Sequence, residues 1–351
     1  MISRAPGRVN LLGEHTDYNQ GFVLPCAIDR HITINFQESD HIELYSDLMR
    51  DWVRFNGGKE EIDKTGEGWK RYVVGVFLSM SKHYKTRGIE GSIDSNVPVG
   101  GGLSSSASLE IATALAILKR KNVNPIKIAK ICRRAENDYV GVNCGIMDQI
   151  AVMVARQNNL LLLDCRSLEY KQVPFEGAEI VLIDSGTKHE LSASFYNERV
   201  DECRKICRIL KVKSLREAWE RDLPIDSLEE KLKKRTKHFY EENERVLKAT
   251  DFLKSDDLER FGKLMNESHL SLSGNYEVST PLLDRLQSKI KKHSYGAKLT
   301  GAGFGGSIVA IVDERKRKKV IEAFPNFKVY FLKSSDGAWL DAKRLKNRAK
   351  K

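Results

Sequence analysis

The run Val97-Pro98-Val99-Gly100-Gly101-Gly102-Leu103-Ser104-Ser105-Ser106-Ala107-Ser108 constrains this chain more than any other stretch, because it passes directly into an apolar helical pattern that ends near Leu118. Consecutive glycines let a backbone approach a ligand closely, and the serines that follow are good N-caps for a helix whose first amides lack helical partners. A glycine turn feeding a helix N-terminus is an anion site, since the free N–H groups and the positive end of the helix dipole point the same way. Phosphate is the anion expected there. An ordinary serine-capped loop is the plainer alternative, but three serines exceed what one cap needs, and their hydroxyls suit Mg²⁺, which takes oxygen ligands beside substrate phosphates. Downstream, Ala107, Ile111, Ala114, Leu115 and Leu118 recur at helical spacing with apolar residues between them, which predicts a helix buried on most sides and a fixed N-terminus.

The 351 residues are 41% hydrophobic and 30% charged, a globular composition whose length favours two domains over one. No apolar run approaches the length of about 18 residues that spans a bilayer. The opening residues lack a signal-peptide core, so a cytosolic protein is expected, with no membrane partner. Six cysteines contain no C-x-x-C pair and are expected to be reduced core or boundary residues rather than a zinc site. A net charge of +11 admits nucleic acid, an anionic substrate or a solvated Lys/Arg-rich surface. The basic runs at 315–319 and 343–351 lack the interleaved aromatics of a nucleic-acid groove, which favours the solvated surface and no nucleic-acid partner.

Strand-like alternation marks residues 3–10, 22–36, 41–45 and 52–55, and between the first two lies Leu11-Leu12-Gly13-Glu14-His15-Thr16-Asp17-Tyr18-Asn19, a short polar loop. Residues 69–78 read as a helix, in which Trp69 and Tyr72 are either core residues or an adenine platform. Pro125 opens a helix that runs past Glu136 to Gly141, and Gly145-Ile146-Met147-Asp148 begins the next. By themselves, Glu136 reads equally as a surface acid and Asp148 as a helix cap. Two apolar strands at 160–164 and 179–184, separated by a polar turn, place a domain boundary near residue 170. Beyond it come a helix through Leu210, a highly charged segment at 228–248, a helix at 258–268 and another from Pro281 to Gly296.

The loop Gly301-Ala302-Gly303-Phe304-Gly305-Gly306-Ser307 formally matches G-x-G-x-x-G, but a strand follows it where a dinucleotide fingerprint needs a helix. Walker-A and protein-kinase motifs are absent from the sequence. Two distant glycine loops, one of them serine-rich, nonetheless suggest a nucleotide held by backbone amides.

Three stretches taken together resemble the motifs of the GHMP small-molecule kinases: residues 7–19, 98–108 and 301–307. Within the first, Gly7-Arg8-Val9-Asn10-Leu11-Leu12-Gly13-Glu14-His15-Thr16-Asp17-Tyr18-Asn19 resembles the galactokinase signature in particular. The resemblance implies an α+β, two-domain architecture, with residues 1–170 like the second domain of ribosomal protein S5 and residues 171–351 ferredoxin-like, and the active site between them. It implies ATP-dependent phosphorylation of galactose to α-D-galactose 1-phosphate. Carried over by position, Asp148 would be the general base and Arg8 would stabilise the charge of the base and of the transferring group. Glu14, His15, Asp17, Gly145 and Tyr196 would bind the sugar. Trp69 with Gly100, Gly101, Gly102, Leu103, Ser104, Ser105 and Ser106 would bind ATP, and Ser105, Ser106 and Glu136 would hold Mg²⁺.

A kinase of the same family acting on another sugar is the nearest alternative. A sugar sensor without transferase activity is a second, disfavoured because known sensors of this kind are disrupted in the second motif, whereas Ser105-Ser106-Ala107-Ser108 is intact here. The sequence leaves the oligomeric state open.

Overall fold

A computed structural model describes residues 1–57, 66–98, 100–120, 122–187 and 192–341; Val99 of the glycine-serine run and the basic tail at 343–351 lie outside the described residues. The chain opens with β1 (Ile2–Asn10), β2 (Phe22–Val23), β3 (Pro25–Ser39), β4 (Ile42–Ser46) and β5 (Asp51–Phe55). Then follow α1 (Trp69–Ser81), β6 (Gly88–Ser95), α2 (Ser105–Leu118), α3 (Pro125–Ala135) and α4 (Met147–Val154). The strands, β2 excepted, align in the order β1-β3-β6-β4-β5, antiparallel save for the β4–β6 pair. Alternate residues of β3 and β4 are buried and packed against the helices, as strand periodicity requires. Helix α2 is the centre of that layer. From Ala107 to Leu118 every residue of it is buried, as its unbroken apolar pattern demands.

β6 was not legible in the sequence. Its GIEGSIDS run carries two glycines, which disfavour a strand by propensity, but a Cβ at Gly88 would sit 2.1 Å from the His41 carbonyl oxygen and one at Gly91 2.0 Å from that of Asn35. Glycine is there because neighbouring strands come that close.

The second half begins with β7 (Asn159–Asp164) and β8 (Tyr170–Pro174), a hairpin whose first strand pairs with β2. β8 replaces the polar turn expected between two apolar strands; only Val173 of it is buried, so it carries almost no apolar signal. Strand β9 (Glu179–Asp184) is followed by α5 (Ser192–Leu210), α6 (Leu215–Glu220), α7 (Glu230–Lys254), α8 (Leu258–Gly274) and α9 (Pro281–Ile290). Helix α9 stops six residues before Gly296, because Ser294 turns extended and Gly296 already begins β10 (Gly296–Thr300). After β11 (Ser307–Val312), α10 (Arg317–Ala323) and β12 (Lys328–Leu332), the sheet order is β10-β11-β9-β12, all antiparallel. The architecture is α+β, as expected. A last short strand, β13 (Trp339–Asp341), returns to pair with β1, so the end of the described chain completes the first sheet.

The highly charged segment at 228–248 folds largely into a partly buried helix. It lies in α7, a 25-residue helix, and Arg235, His238 and Glu242 on it are fully buried. Their charges are matched instead of solvated: Glu242 accepts from Arg245 Nε at 2.8 Å, from Ser268 Oγ at 2.7 Å and from the Gly13 amide at 2.8 Å. Burial would push the Glu242 carboxyl up, but Arg245, His238 and Lys298 outweigh it and hold it down at about 2.

A depressed folded-state carboxylate stabilises the fold above the ordinary carboxylate range and loses that contribution as pH falls towards about 2. Glu242→Gln should therefore destabilise the protein at neutral pH by about 3–5 kcal/mol, the cost of leaving a buried charge without its partner. Urea unfolding of the two proteins at pH 7 measures it. The gap should narrow at low pH, where the wild type loses the same interaction.

Candidate active site

The cleft between the two sheets is organised by an irregularity in β1. The β1–β3 register shifts between Pro6 and Arg8, a bulge that re-aims the strand, and the Arg8 amide bonds to the Leu103 carbonyl at 3.1 Å. Arg8 Nη1 donates to the Gly102 carbonyl at 2.7 Å, and its Nε donates to Asp148 Oδ1 at 2.7 Å while Nη2 donates to Asp148 Oδ2. Burial opposes the charge on Arg8, but Asp148 and, further off, Glu14 and Asp17 raise its pKa. Arg8 is thus a permanent cation pinned between the glycine loop and the first turn of α4.

Ser104 adopts a left-handed conformation, φ 54° and ψ 49°, at the start of α2. That conformation costs a non-glycine residue about 1–3 kcal/mol and is kept where surrounding contacts determine it. Here the contact is its hydroxyl, which donates to Asp148 Oδ2. The Ser104 hydroxyl proton is thereby directed at the carboxylate. Ser105 and Ser106 face a cavity of about 370 Å³ instead. Arg8, Glu14, His15, Asp17, Gly100, Glu136, Gly145, Asp148 and Tyr196 line the same cavity. Of the glycine loop, Gly101, Gly102 and Leu103 do not line it. They build the support: a Cβ at Gly102 (φ +74°) would lie 2.4 Å from the Thr300 carbonyl, and one at Gly301 would lie 2.9 Å from Gly102 Cα. The two glycine loops lean on each other, backbone to backbone.

The polar loop after β1 divides its labour. Glu14 is 2% exposed and accepts from Asn10 Nδ2 at 2.8 Å, from the Gly301 amide at 2.9 Å and from Lys298, itself fully buried, at 3.1 Å. His15 has both ring nitrogens engaged, Nδ1 with Tyr18 Oη at 2.9 Å and Nε2 with the Ala302 carbonyl at 3.1 Å. Burial first, then nearby His238, lower its pKa to about 3, so the ring is neutral and offers the cavity a face rather than a hydrogen bond. Tyr196 stacks beside it, with ring centroids 5.4 Å apart. Asp17 is held more loosely, by the Tyr18 amide and by a 3.4 Å bond from the Met147 amide to its Oδ2, and Gly145 must be glycine because a Cβ there would stand 1.9 Å from that oxygen.

Glu136 lies at the other end of the cavity, beside Glu110, with Gln149 Nε2 donating to both at 3.0 Å. Burial, then the Asp148 charge, raise the Glu136 pKa. Glu110 was missed in the sequence; the available signal was an acid inside the otherwise apolar run of α2. Past Ser105 and Ser106 opens a second hollow of about 330 Å³, where Trp69 and Tyr72 meet Leu48, Met49, Ile93 and Leu109. The apolar lining and its continuity with the serines suit a nucleotide base. Leu48 and Met49 come from the β4–β5 turn and had no motif to mark them. No group of three or more His, Cys, Asp or Glu poised for a metal occurs among the described residues, and none of their helices is long and apolar enough to cross a membrane.

Comparison with known proteins places this geometry. Residues 71–156 match the GHMP kinases N terminal domain, residues 249–329 match GHMP kinases C terminal, and residues 1–37 match the galactokinase galactose-binding signature. Galactokinase from Thermotoga petrophila is 41% identical over 96% of this chain and 99% of its own. The chain belongs to the galactokinase family. Galactokinase from Pyrococcus furiosus is 40% identical over 91% of each chain. The crystal structure of Lactococcus lactis galactokinase complexed with galactose superposes with a TM-score of 0.85 at 33% identity, covering 96% of this chain and 94% of that one. The galactokinase membership agrees with the order of the three motifs along the chain and with their convergence on one cleft.

Burial raises the Asp17 pKa to about 6, and the charge on Asp148 adds to the rise. Carbon-13 NMR of labelled carboxylates should accordingly find Asp17 titrating near pH 6, with the midpoint moving down in Asp148→Asn. A midpoint unmoved by that substitution would break the electrostatic link between the two acids.

Proposed function

We propose that Asp148 removes the proton from the anomeric hydroxyl of galactose as that oxygen attacks the γ-phosphorus of ATP, giving α-D-galactose 1-phosphate and ADP. The observation that carries this reading is the arrangement around Asp148: its carboxylate is held by two bonds from Arg8 and one from Ser104, yet its side chain remains 26% exposed towards the cavity that Asp17 also lines. Phosphoryl transfer requires alignment and charge neutralisation more than covalent chemistry, and a fixed base beside a fixed cation provides both. Arg8 fixes both carboxylate oxygens of Asp148 and sits where negative charge accumulates as the phosphoryl group moves.

Sugar recognition falls to Asp17 and the remaining capacity of Glu14, with His15, Gly145 and Tyr196 shaping the wall. ATP lies with its base against Trp69 and Tyr72 and its phosphates over Gly100, Ser105, Ser106 and the free first-turn amides of α2. Residues 1–170 and 171–351 form the two sides of this cleft, with β13 tying the second side back to the first. The residues present also fit Mg²⁺: the hydroxyls of Ser105 and Ser106 make no hydrogen bond among the described residues, and buried Glu136 and Glu110 share one amide donor with no cation between them. Ser105, Ser106 and Glu136 would hold the ion with the ATP phosphates, and it would neutralise phosphate charge.

Asp148→Asn keeps the shape and loses the proton acceptor, so kcat should fall by about 10²- to 10⁴-fold while ATP binding persists. Steady-state kinetics with a separate nucleotide-binding titration checks this. Near-normal kcat would show that positioning by Arg8 suffices.

Product identity tests the whole reading. Phosphorus and proton NMR after incubation with ATP and a panel of sugars should show galactose phosphorylated at the anomeric oxygen and glucose used poorly, since an epimer leaves a buried acceptor unpaired at a cost of about 1–3 kcal/mol. A 6-phosphate, or equal use of glucose, would overturn it.

A further inference from the structure

Beside the catalytic cleft lies a larger cavity of about 630 Å³ that the reaction does not use. Four cationic side chains line it: Arg133 from α3, Arg204 and Arg208 from α5, and Lys213 from the turn before α6. No carboxylate lines it among the described residues. Among the described residues only Arg204 of the four has an ion pair, with Asp201 at 2.9 Å; Arg208 spends one N–H on the Arg204 carbonyl at 3.4 Å, and Arg133 Nε is buried without a partner. Most other basic side chains on α5 to α7 are paired, among them Arg199, Lys205, Arg216, Lys231 and Arg235. Converging unpaired cations around a concave space raise the local potential and draw anions into it. Asn137 and Asn143 supply amide groups on the same lining.

We propose that this cavity is a second ligand site, for a small phosphate monoester bearing hydroxyl groups, such as a sugar phosphate. The cations address the phosphate through charge-assisted bonds, and the Asn143 side-chain amide addresses hydroxyls, the Asn137 amide being engaged by the Arg133 and Val142 carbonyls. The volume falls in the range of ordinary small-molecule sites, about 300–1,000 Å³. The site bridges the two halves of the chain, since Arg133 and the asparagines come from the first and the other three cations from the second.

Cys144 lines both cavities, and Tyr18, which lines this one, bonds to a residue that lines the other. Tyr18 Oη bonds to His15 in the sugar loop and to Tyr276 Oη at 2.8 Å, while Cys144 faces both cavities and donates to Glu136 at 3.1 Å. A ligand in this site therefore touches groups that set the sugar loop and the acidic end of the cleft.

The test fills the catalytic cleft first. Glucose 6-phosphate is titrated calorimetrically into the protein saturated with galactose and a non-hydrolysable ATP analogue, with inorganic phosphate as a parallel probe. One equivalent should bind, and the exposed pair R208Q/K213Q should weaken it at least tenfold without altering kcat for galactose in the absence of the ester. Tighter binding of glucose 6-phosphate than of inorganic phosphate, with the advantage removed by Asn143→Ala, assigns the hydroxyl contacts; equal binding of the two overturns the sugar-phosphate assignment. No binding at millimolar concentration, or binding undiminished in R208Q/K213Q, overturns the site itself. Because both outcomes are read with the cleft occupied, they do not depend on which sugar the enzyme phosphorylates.

Discussion

The bidentate contact between Arg8 and Asp148 joins elements that nothing in the local sequence would bring together. Arg8 reaches it because β1 bulges at Gly7, and Asp148 reaches it because α4 begins just after Gly145. The guanidinium also fixes the Gly102 carbonyl, and the carboxylate holds Ser104 in a left-handed conformation, so the pair determines the shape of the glycine loop as well as the charge beside it. An arginine suits this position better than a lysine, since its planar fork satisfies two carboxylate oxygens and a carbonyl at once. The ion pair is half-buried and extensively hydrogen-bonded, the condition under which such a pair specifies geometry.

Behind the sugar loop the same logic recurs in a deeper layer. Glu14 is anchored by Lys298 and the Gly301 amide, Gly13 by Glu242, and the Glu14 carbonyl by His238, whose Nε2 lies 3.1 Å away. These partners come from α7 and β10, on the far side of the chain from the loop they hold. The loop thus has much of its backbone and one of its two carboxylates held by the second half of the protein. Asp17, the other, is left facing the cavity.

Much of this was legible in the sequence where chemistry and local pattern coincide. The glycine-serine run announced a helix N-terminus open to anions, and the polar loop announced a cluster of acceptors, because both signals are local. What stayed hidden was everything decided by partners distant in sequence. Lys298 carries no local signal of its burial, and the charge of the 228–248 segment gives none of the full burial of Arg235 and Glu242 on it. Strands β6 and β8 were invisible for a related reason: one has glycines forced by close neighbours, the other a polar sequence at a sheet edge. The bond from the Ser104 hydroxyl to Asp148 was hidden for the same reason, since 44 residues separate the two.

The two glycine loops meet chiefly through main chain, Gly102 against Thr300 and Gly301. A Cβ at Gly102 would stand 2.4 Å from the Thr300 carbonyl oxygen and one at Gly301 2.9 Å from Gly102 Cα, so a side chain at either position would wedge the two loops apart. Their separation is in that sense a property of two backbones in touch, and only a shift of one whole loop could change it.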